Sequence, residues 1–295
     1  MASVLRLLAL GTCGLLVGCR LAPDTAEPDP ADTSTPATAR IEAPEPPEDR
    51  PGAAPSPPPD RLPRAEIDTT VLGGYGVFTD LGVYHGDEAP ARDGETWQAV
   101  VPADAGAALR PVRLRVEVAR DEVLDPDDGP FTGRRVTTPA SVVHETGWID
   151  DPATLFVRRD AGPLPAGPVP VAMASDTTYF RASRSYPLAL GDAAYTLTVE
   201  ADWITGGEYG DYARQWRIGL VAPDGTAQPL ANVENRDDAH PRLVWAGDLD
   251  ADGRLDLVLD EAWHYNVSVT TLYLSSEAAP GRLVRRVARH ETTGC

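Results

Sequence analysis

Alternating apolar and polar positions along the chain predict β-strands. Residues 112–118 read Val-Arg-Leu-Arg-Val-Glu-Val, and residues 195–200 read Tyr-Thr-Leu-Thr-Val-Glu. A period of two places the apolar side chains on one face of a strand and the polar ones in water. Residues 216–221 and 226–230 flank Asp224-Gly225, a dipeptide typical of hairpin turns. These stretches therefore predict strands joined by short turns.

The rest of the apolar pattern favours the same secondary structure. Residues 272–274 and 283–287 predict two closing strands. No convincing amphipathic stretch is longer than two helical turns, and Pro and Gly recur throughout the chain. We therefore predict an all-β fold of mainly antiparallel strands with few or no long helices.

A Pro- and Gly-rich stretch at residues 161–168 is a candidate seam. It could link two β subdomains or form a long surface loop within one. The part of the chain after residue 65 is long enough for two compact β subdomains. We predict these subdomains at residues 66–165 and 166–295. The chain has no internal repeat, so a complete propeller is not expected.

The amino terminus has the pattern of an export signal. Arg6 precedes an apolar run over residues 7–17 that is too short to span a bilayer. The run ends in Leu16-Val17-Gly18-Cys19, which resembles the lipobox of bacterial lipoproteins. That resemblance implies a signal peptide at residues 1–18 and lipid attachment to Cys19. An ordinary secretory signal with an incidental Cys19 is the alternative.

The residues that follow Cys19 predict a location and a tether. Arg20 follows the cysteine, which by similarity to enteric sorting rules favours the outer membrane of the bacterial cell envelope. Residues 21–63 are dominated by Pro, Ala, Asp, Glu and Thr and cannot bury a core. We expect residues 19–65 to form a disordered tether between the lipid anchor and the folded part.

Charge and cysteine content limit the partners. The net charge of −19 and the pI near 4.5 argue against nucleic acid as a partner. Of the three cysteines, Cys13 leaves with the signal peptide and Cys19 carries lipid, so only Cys295 remains. No intramolecular disulfide is expected.

The candidate chemistry is concentrated in residues 248–256. Carboxylates stand at positions 1, 3, 5 and 9 around Gly253 at position 6, the spacing of a calcium loop. Apolar patterns at residues 243–245 and 255–259 predict a strand on each side. An EF-hand needs a glutamate at position 12, and that position is Leu259. The loop is therefore expected to connect two β-strands, although a merely solvated aspartate-rich turn is the alternative.

The nonapeptide resembles the calcium loops of FG-GAP and VCBS-type repeats in integrin-like proteins. That resemblance implies a structural Ca²⁺ ion. It also implies that Gly253 permits the turn and that Leu255 packs inward. The implied ligands are the backbone carbonyl of Arg254 and the side chains of Asp248, Asp250, Asp252 and Asp256.

A wider stretch carries a second resemblance. Residues 243–248, 264–268 and 272–276 look like segments of lipoproteins and secreted proteins from myxobacteria and related bacteria. This group brings no known activity, so it supports only export and a single calcium loop.

Catalytic signatures are scarce, and we assign no catalytic residue. Residues 85–88, His-Gly-Asp-Glu, could be an acid/base or metal cluster or a solvated turn. Residues 264–266, His-Tyr-Asn, could shape a pocket or form a capped turn that packs Tyr265 inward.

Three functions stay open. The first is a lipid-anchored envelope protein that binds Ca²⁺ for stability and presents a surface to a protein or glycan partner. The second is a periplasmic or surface hydrolase, which a deep pocket joining His85 or His264 to two carboxylates would favour. The third is a purely structural lipoprotein. An exposed aromatic surface from residues such as Trp97, Trp203 or Trp263 would favour the binding function.

Overall fold

The computed structural model describes residues 67–103, 106–138, 155–172, 178–207 and 210–294. The predicted signal peptide, Cys19 and the tether lie outside these residues. In the described part every regular element is a strand, which confirms the all-β prediction. The strands are β1 Tyr75–Phe78, β2 Gly82–Tyr84, β3 Thr96–Ala103, β4 Gly106–Arg113, β5 Arg115–Ala119, β6 Gly133–Thr137, β7 Leu155–Arg159, β8 Gly167–Val169, β9 Thr178–Tyr179, β10 Arg184–Leu190, β11 Ala193–Gly207, β12 Gly210–Val221, β13 Ala227–Glu234, β14 Arg242–Gly247, β15 Asp256–Asp260, β16 Val267–Leu274 and β17 Arg285–Thr293.

The strands form four antiparallel sheets. The first sheet has the order β1-β7-β3-β4-β8, and the small sheet has the order β2-β6-β5. The hairpin sheet is β10-β11-β12-β13, and the central sheet is β17-β16-β15-β14-β9. None of these sheets of described residues closes into a propeller, as the lack of a sequence repeat predicted.

The central sheet is buried on both faces. Leu257 and Leu259 of β15 pack in a cluster with the hairpin sheet. Val258, between them, packs in a different cluster with the first sheet. All five residues of β15 are buried because successive side chains of a strand point to opposite faces. Leu255 also belongs to the first cluster, so Leu255, Leu257 and Leu259 lie on one face.

Apolar residues from both sides of position 165 pack together. Val100 and Leu155 of the first sheet share a cluster with Val258 and Leu272 of the central sheet. Leu164, inside the predicted seam, is buried, and both its backbone N–H and its carbonyl are hydrogen-bonded to the Gln98 side chain, at 2.6 and 2.8 Å. The two predicted subdomains thus share a hydrophobic core, and the boundary at residue 165 stays a prediction about folding units.

One predicted strand is wrong in its extent. Residues 112–118 are not a single strand, because β4 ends at Arg113 in the first sheet and β5 begins at Arg115 in the small sheet. Leu114, between them, exchanges backbone hydrogen bonds with Gly94 and Glu95 at 2.9 Å and buries its side chain. The chain therefore crosses from one layer to the next at Leu114.

The predicted hairpin and the two predicted closing strands are confirmed. Val221 pairs with Ala227 across the turn at Asp224-Gly225, and Gly225 has a φ of +86°, a conformation that favours glycine. Strands β16 and β17 pair along their length. Among the described residues there is no helix of the length and apolarity that crossing a membrane requires.

Candidate metal centre

The aspartate-rich loop connects β14 to β15, as the flanking apolar pattern predicted. Gly247 pairs with Asp256 where the loop begins and ends. A Cβ atom on Gly247 would stand 2.3 Å from the Pro170 carbonyl oxygen, so only glycine allows this close approach. Asp248 N–H donates to the same carbonyl at 2.9 Å. The entry to the loop is therefore held against the segment that follows β8.

Two buried leucines anchor the loop on opposite faces of the central sheet. Leu249 packs in the cluster shared with the first sheet, and Leu255 packs in the cluster shared with the hairpin sheet. The predicted inward packing of Leu255 is confirmed. The acidic residues between the two leucines are thereby fixed at the edge of the hydrophobic core.

The turn itself is built by local hydrogen bonds. Asp248 accepts from the N–H groups of Asp252 at 3.0 Å and Gly253 at 2.9 Å. Gly253 has a φ of +79°, and Ala251 has a φ of +63°, a region that residues with a Cβ seldom adopt. The loop thus holds strained backbone in a short acidic segment.

Three carboxylates converge inside this turn. Asp248, Asp250 and Asp256 can each offer one oxygen so that all three oxygens lie within 4.8 Å of one another. Because Ca²⁺ stands about 2.3–2.6 Å from its oxygen ligands, two ligands of one ion are at most about 5 Å apart. These three residues therefore have the spacing of ligands of a single ion.

Asp256 is the most buried member of the group, with no exposed surface. Its oxygens accept hydrogen bonds from the N–H groups of Leu249 and Ser275, both at 2.8 Å, and from the Ser275 hydroxyl at 2.9 Å. Burial, and next the charge of Asp250, raise the pKa of Asp256 to about 7. Keeping Asp256 ionised in the group therefore costs free energy unless a positive charge lies near it.

Asp250 is the least satisfied member of the group. Its Oδ2 accepts a hydrogen bond from the Ser276 hydroxyl, whereas its Oδ1 is inaccessible to solvent and has no hydrogen-bond partner. Burial raises the pKa of Asp250, and the charges of Asp252 and Asp248 act in the same direction. A buried acceptor without a donor is rare in native proteins, and a cation would satisfy it.

Asp252 and Arg254 lie differently from the other predicted ligands. The Asp252 carboxylate is not part of the group of three and instead pairs with the Arg254 guanidinium, with Nη2 at 2.7 Å and Nε at 3.0 Å. The Ser275 hydroxyl lies 3.0 Å from Asp252 and 2.9 Å from Asp256, so these two carboxylates share its single proton. The structure thus brings together three of the four predicted aspartates, and Arg254 supplies the positive charge for the fourth.

Ser275 and Ser276 contact the acidic group, and neither residue was predicted from the sequence. They directly follow β16, and Tyr273 of that strand pairs with Leu257 of β15. Antiparallel pairing places the residues after β16 beside the start of β15. The signal was therefore the pairing of the 255–259 and 272–274 patterns, which brings two hydroxyls to the acidic loop.

The fit to a hard cation rests on ligand type as well as spacing. The group of three contains only carboxylates and neither histidine nor cysteine, which suits Ca²⁺ or Mg²⁺ rather than zinc or copper. The buried Asp250 Oδ1 is an available ligand atom within the group. The residues present therefore fit a calcium ion.

The predicted histidine sites lie elsewhere. His85 Nδ1 is 2.5 Å from Asp121 Oδ2, and this hydrogen bond raises the pKa of His85. A groove of about 350 Å³ lined by residues that include Gly86, Val118 and Arg134 is open rather than deep. Neither His85 nor Asp121 lines it.

Residues 264–266 form a turn, closed by the hydrogen bond from Val267 N–H to the His264 carbonyl at 3.1 Å, but the turn does not bury Tyr265. His264 Nε2 is 3.6 Å from Asp237 Oδ2, and among the described residues no second carboxylate lies as close to this ring. Tyr265 is 67% exposed, so the prediction that a turn packs it inward is wrong. Tyr265 N–H donates to the Asp237 carbonyl at 2.8 Å, so its backbone is held although its ring is exposed.

Three tryptophans were candidates for a binding surface. Trp97 is buried against Phe78 at a ring-centroid distance of 5.0 Å. Trp263 is partly buried, and Trp203 is 52% exposed. The first of these cannot contact a partner, and the other two can.

Comparison with known proteins adds no relative. No protein-family model, no curated protein and no solved structure matches this chain.

Proposed function

We propose that the loop between β14 and β15 binds one Ca²⁺ ion. The observation that carries this proposal is the convergence of Asp248, Asp250 and Asp256 around a buried oxygen of Asp250 that has no hydrogen-bond partner. By resemblance to FG-GAP and VCBS-type loops, Asp252 and the Arg254 carbonyl complete the ligand set. Calcium accepts six to eight oxygen ligands in flexible geometry, which suits a loop of this kind.

The role of the ion is structural. It neutralises carboxylates whose pKa values burial and mutual repulsion raise. Ser275 and Ser276 bond to the same carboxylates, so the ion also stabilises the end of β16 against the loop. Because the loop begins and ends on the central sheet, calcium binding stabilises the layer on which both neighbouring sheets pack. An affinity on the order of 10⁻⁴ to 10⁻³ M is sufficient outside the cytoplasm.

The protein is proposed to act at the bacterial cell envelope as a lipid-anchored binding or structural module. Support comes from the apolar run at residues 7–17, from Leu16-Val17-Gly18-Cys19, and from the Pro-rich residues 21–63. Arg20 favours the outer membrane. The strongly acidic composition supports a partner other than nucleic acid.

Thermal unfolding of the intact protein in Ca²⁺ and in EDTA tests the metal site. Saturating Ca²⁺ should raise the midpoint, and Mg²⁺ at the same concentration should raise it less because it demands stricter octahedral geometry. Asp250→Ala should abolish the rise. Asp224→Ala is a matched control, because Asp224 also accepts a backbone N–H in a turn, at 2.8 Å from Thr226, but is not part of the acidic group. A wild-type midpoint that is indifferent to Ca²⁺ would end the proposal.

A separate experiment tests the anchor. Cells that express the wild-type protein should incorporate labelled palmitate into it, and cells that express Cys19→Ala should not. Labelling of the Cys19→Ala variant would contradict lipid attachment at this residue and leave the metal proposal unaffected.

A further inference from the structure

A row of aromatic rings lies on the surface where β15 leads into β16. The ring centroids of Trp263 and His264 are 5.8 Å apart, and those of His264 and Tyr265 are 4.6 Å apart. The Arg236 guanidinium covers Trp263 at 5.1 Å from the ring centroid. We call Arg236, Trp263, His264 and Tyr265 the aromatic ledge.

The backbone holds the ledge in place. Arg236 N–H donates to the Trp263 carbonyl at 2.9 Å, and Tyr265 N–H donates to the Asp237 carbonyl at 2.8 Å. Asp237 and His264 form a bridge in parallel orientation between these two bonds. The two segments of the ledge therefore keep a fixed spacing.

Side-chain bonds then fix the rings. His264 Nδ1 is 2.5 Å from Asn266 Oδ1, and Trp263 Nε1 donates to Glu291 at 3.2 Å. Tyr265 lies against an imidazole that is held on one side by Asn266 and on the other by Asp237. The ring of Tyr265 is thus supported before any ligand binds, which lowers the entropy cost of binding.

This supported ring is also the most exposed large hydrophobic side chain of the described residues, at 67%. The exposed Asp237 carboxylate lies near His264, which packs against this ring, and the exposed Arg236 guanidinium covers the neighbouring Trp263. The ledge therefore offers hydrogen-bond acceptors and donors within one small surface.

The ledge does not fit an ionic ligand or a protein partner well. Glu234 stands 3.7 Å from Arg236, so charges of both signs alternate and no simple ion is favoured. A protein interface buries about 800 Å² per partner around an apolar centre. The immediate neighbours of Tyr265 are the polar His264 and Asn266, and the nearby Trp263 is partly buried and covered by Arg236, so the ledge lacks a broad apolar centre.

A sugar ring matches both features. The C–H face of a pyranose is apolar and can stack on an aromatic ring, while its hydroxyl groups both donate and accept hydrogen bonds at the rim. We infer that the aromatic ledge binds a glycan, with one pyranose ring stacked on Tyr265 and its hydroxyls bonded to Asp237 and Arg236. This inference rests on the proposed binding role of the protein, and it names the partner class.

The ledge is separate from the metal site. The last residue of the acidic group, Asp256, is the first residue of β15, and the ledge follows the last, Asp260, so about 13 Å of extended chain separates them. Glycan binding by the ledge should therefore persist in EDTA at temperatures where the protein stays folded. A failure of one proposal can be told from a failure of the other.

Saturation-transfer NMR on the intact protein tests the inference, because it detects the weak binding expected of one exposed ring. The probes are cellohexaose and chitohexaose. Wild-type protein should transfer saturation to the ring protons of at least one of them, and Tyr265→Phe should retain the signal. Tyr265→Ala should lower it at least fivefold.

Tyr179→Ala is the matched control. Tyr179 is 59% exposed and lies under the Arg242 guanidinium at 5.6 Å, so it reproduces the exposure and the cation but lacks the supporting histidine. This variant should behave as wild type. Absence of transfer to both sugars overturns the inference, and so does a signal that survives Tyr265→Ala or falls equally in Tyr179→Ala.

Discussion

The Ser276 hydroxyl donates a hydrogen bond to Asp250 Oδ2, whereas Asp250 Oδ1 is buried without a partner. One half of this carboxylate is therefore satisfied by the end of β16, and the other half is directed into the acidic group. This asymmetry distinguishes Asp250 from Asp248 and Asp256, whose two oxygens all accept hydrogen bonds.

Asp250→Asn should have opposite effects with and without calcium. The amide keeps an acceptor for Ser276, removes one charge from the group and brings donors for neighbouring carboxylates, so the variant should melt higher than wild type in EDTA. It should lose the stabilisation by Ca²⁺. That stabilisation is about 1.4 kcal/mol for wild type at a tenfold excess of Ca²⁺ over the dissociation constant. Calorimetry in both buffers measures the two effects, and equal calcium increments in the two proteins would contradict the assignment.

Gly253→Ala should weaken calcium binding as well as folding. Gly253 has a φ of +79°, and a Cβ there meets no atom within 4 Å, so the cost is conformational and about 1–2 kcal/mol. Its N–H also donates to Asp248 Oδ2, so a distorted turn moves a ligand. Gly281 has a φ of +80° and equally open surroundings, which makes Gly281→Ala the matched control. Urea unfolding should show similar losses for both variants in EDTA and a lower calcium affinity for Gly253→Ala alone.

Local patterns were enough to predict segments of β11 to β17, the hairpin at Asp224-Gly225 and the position of the acidic loop, because these features depend on side-chain period and turn chemistry. The layering was not predictable from them. Residues 112–118 have the alternation of one strand, but the chain changes sheets at Leu114. That crossing is set by the packing of two sheets, which no single segment encodes.

The acidic loop was also predictable only where it depends on local sequence. Spacing identified Asp248, Asp250 and Asp256, since the loop folds locally. Ser275 and Ser276 reach the loop only through the pairing of β15 with β16, and Tyr265 meets Asp237 only through a backbone hydrogen bond between two separate segments. These features come from contacts between distant parts of the chain.

His85→Gln should make stability less dependent on pH. The hydrogen bond to Asp121 raises the pKa of His85 and lowers the pKa of Asp121, and the charges of Glu88 and Asp87 raise the pKa of His85 further. A raised histidine pKa contributes stability that is fully present below the ordinary value of about 6.5 and is lost as pH rises through the folded-state value. In urea unfolding, the free energy of unfolding of wild type should therefore exceed that of His85→Gln by more at pH 6 than at pH 9. In an Asp121→Asn background this pH dependence should disappear. An excess that is the same at both pH values would contradict the pairing of His85 with Asp121.

Arg286→Met should destabilise the fold strongly. Arg286 Nη2 bonds both carboxylate oxygens of Glu261, at 3.1 and 2.8 Å, and the Tyr273 hydroxyl at 3.0 Å, and all three side chains are buried. Loss of the guanidinium leaves Glu261 buried with the Tyr273 hydroxyl as its remaining donor, which should cost about 3–5 kcal/mol. Burial raises the pKa of Glu261, so the variant should recover stability as pH falls and this carboxyl becomes protonated. The double variant Glu261→Gln, Arg286→Met should lose less free energy of unfolding than Arg286→Met alone, because it leaves no unpaired carboxylate.

The same arginine holds the segment by which the chain enters the fold. Arg286 Nη1 donates to the Thr69 carbonyl at 3.4 Å, and the Arg286 carbonyl accepts from Leu72 N–H at 3.1 Å. Arg286→Met removes the first bond and keeps the second, so residues 67–72 should be cut faster by a nonspecific protease under native conditions. Glu261→Gln keeps both bonds and is the matched control. Unchanged cleavage in Arg286→Met would contradict this prediction. It would mean that the Arg286 side chain does not hold residues 67–72, and that the backbone bond from Leu72 is sufficient.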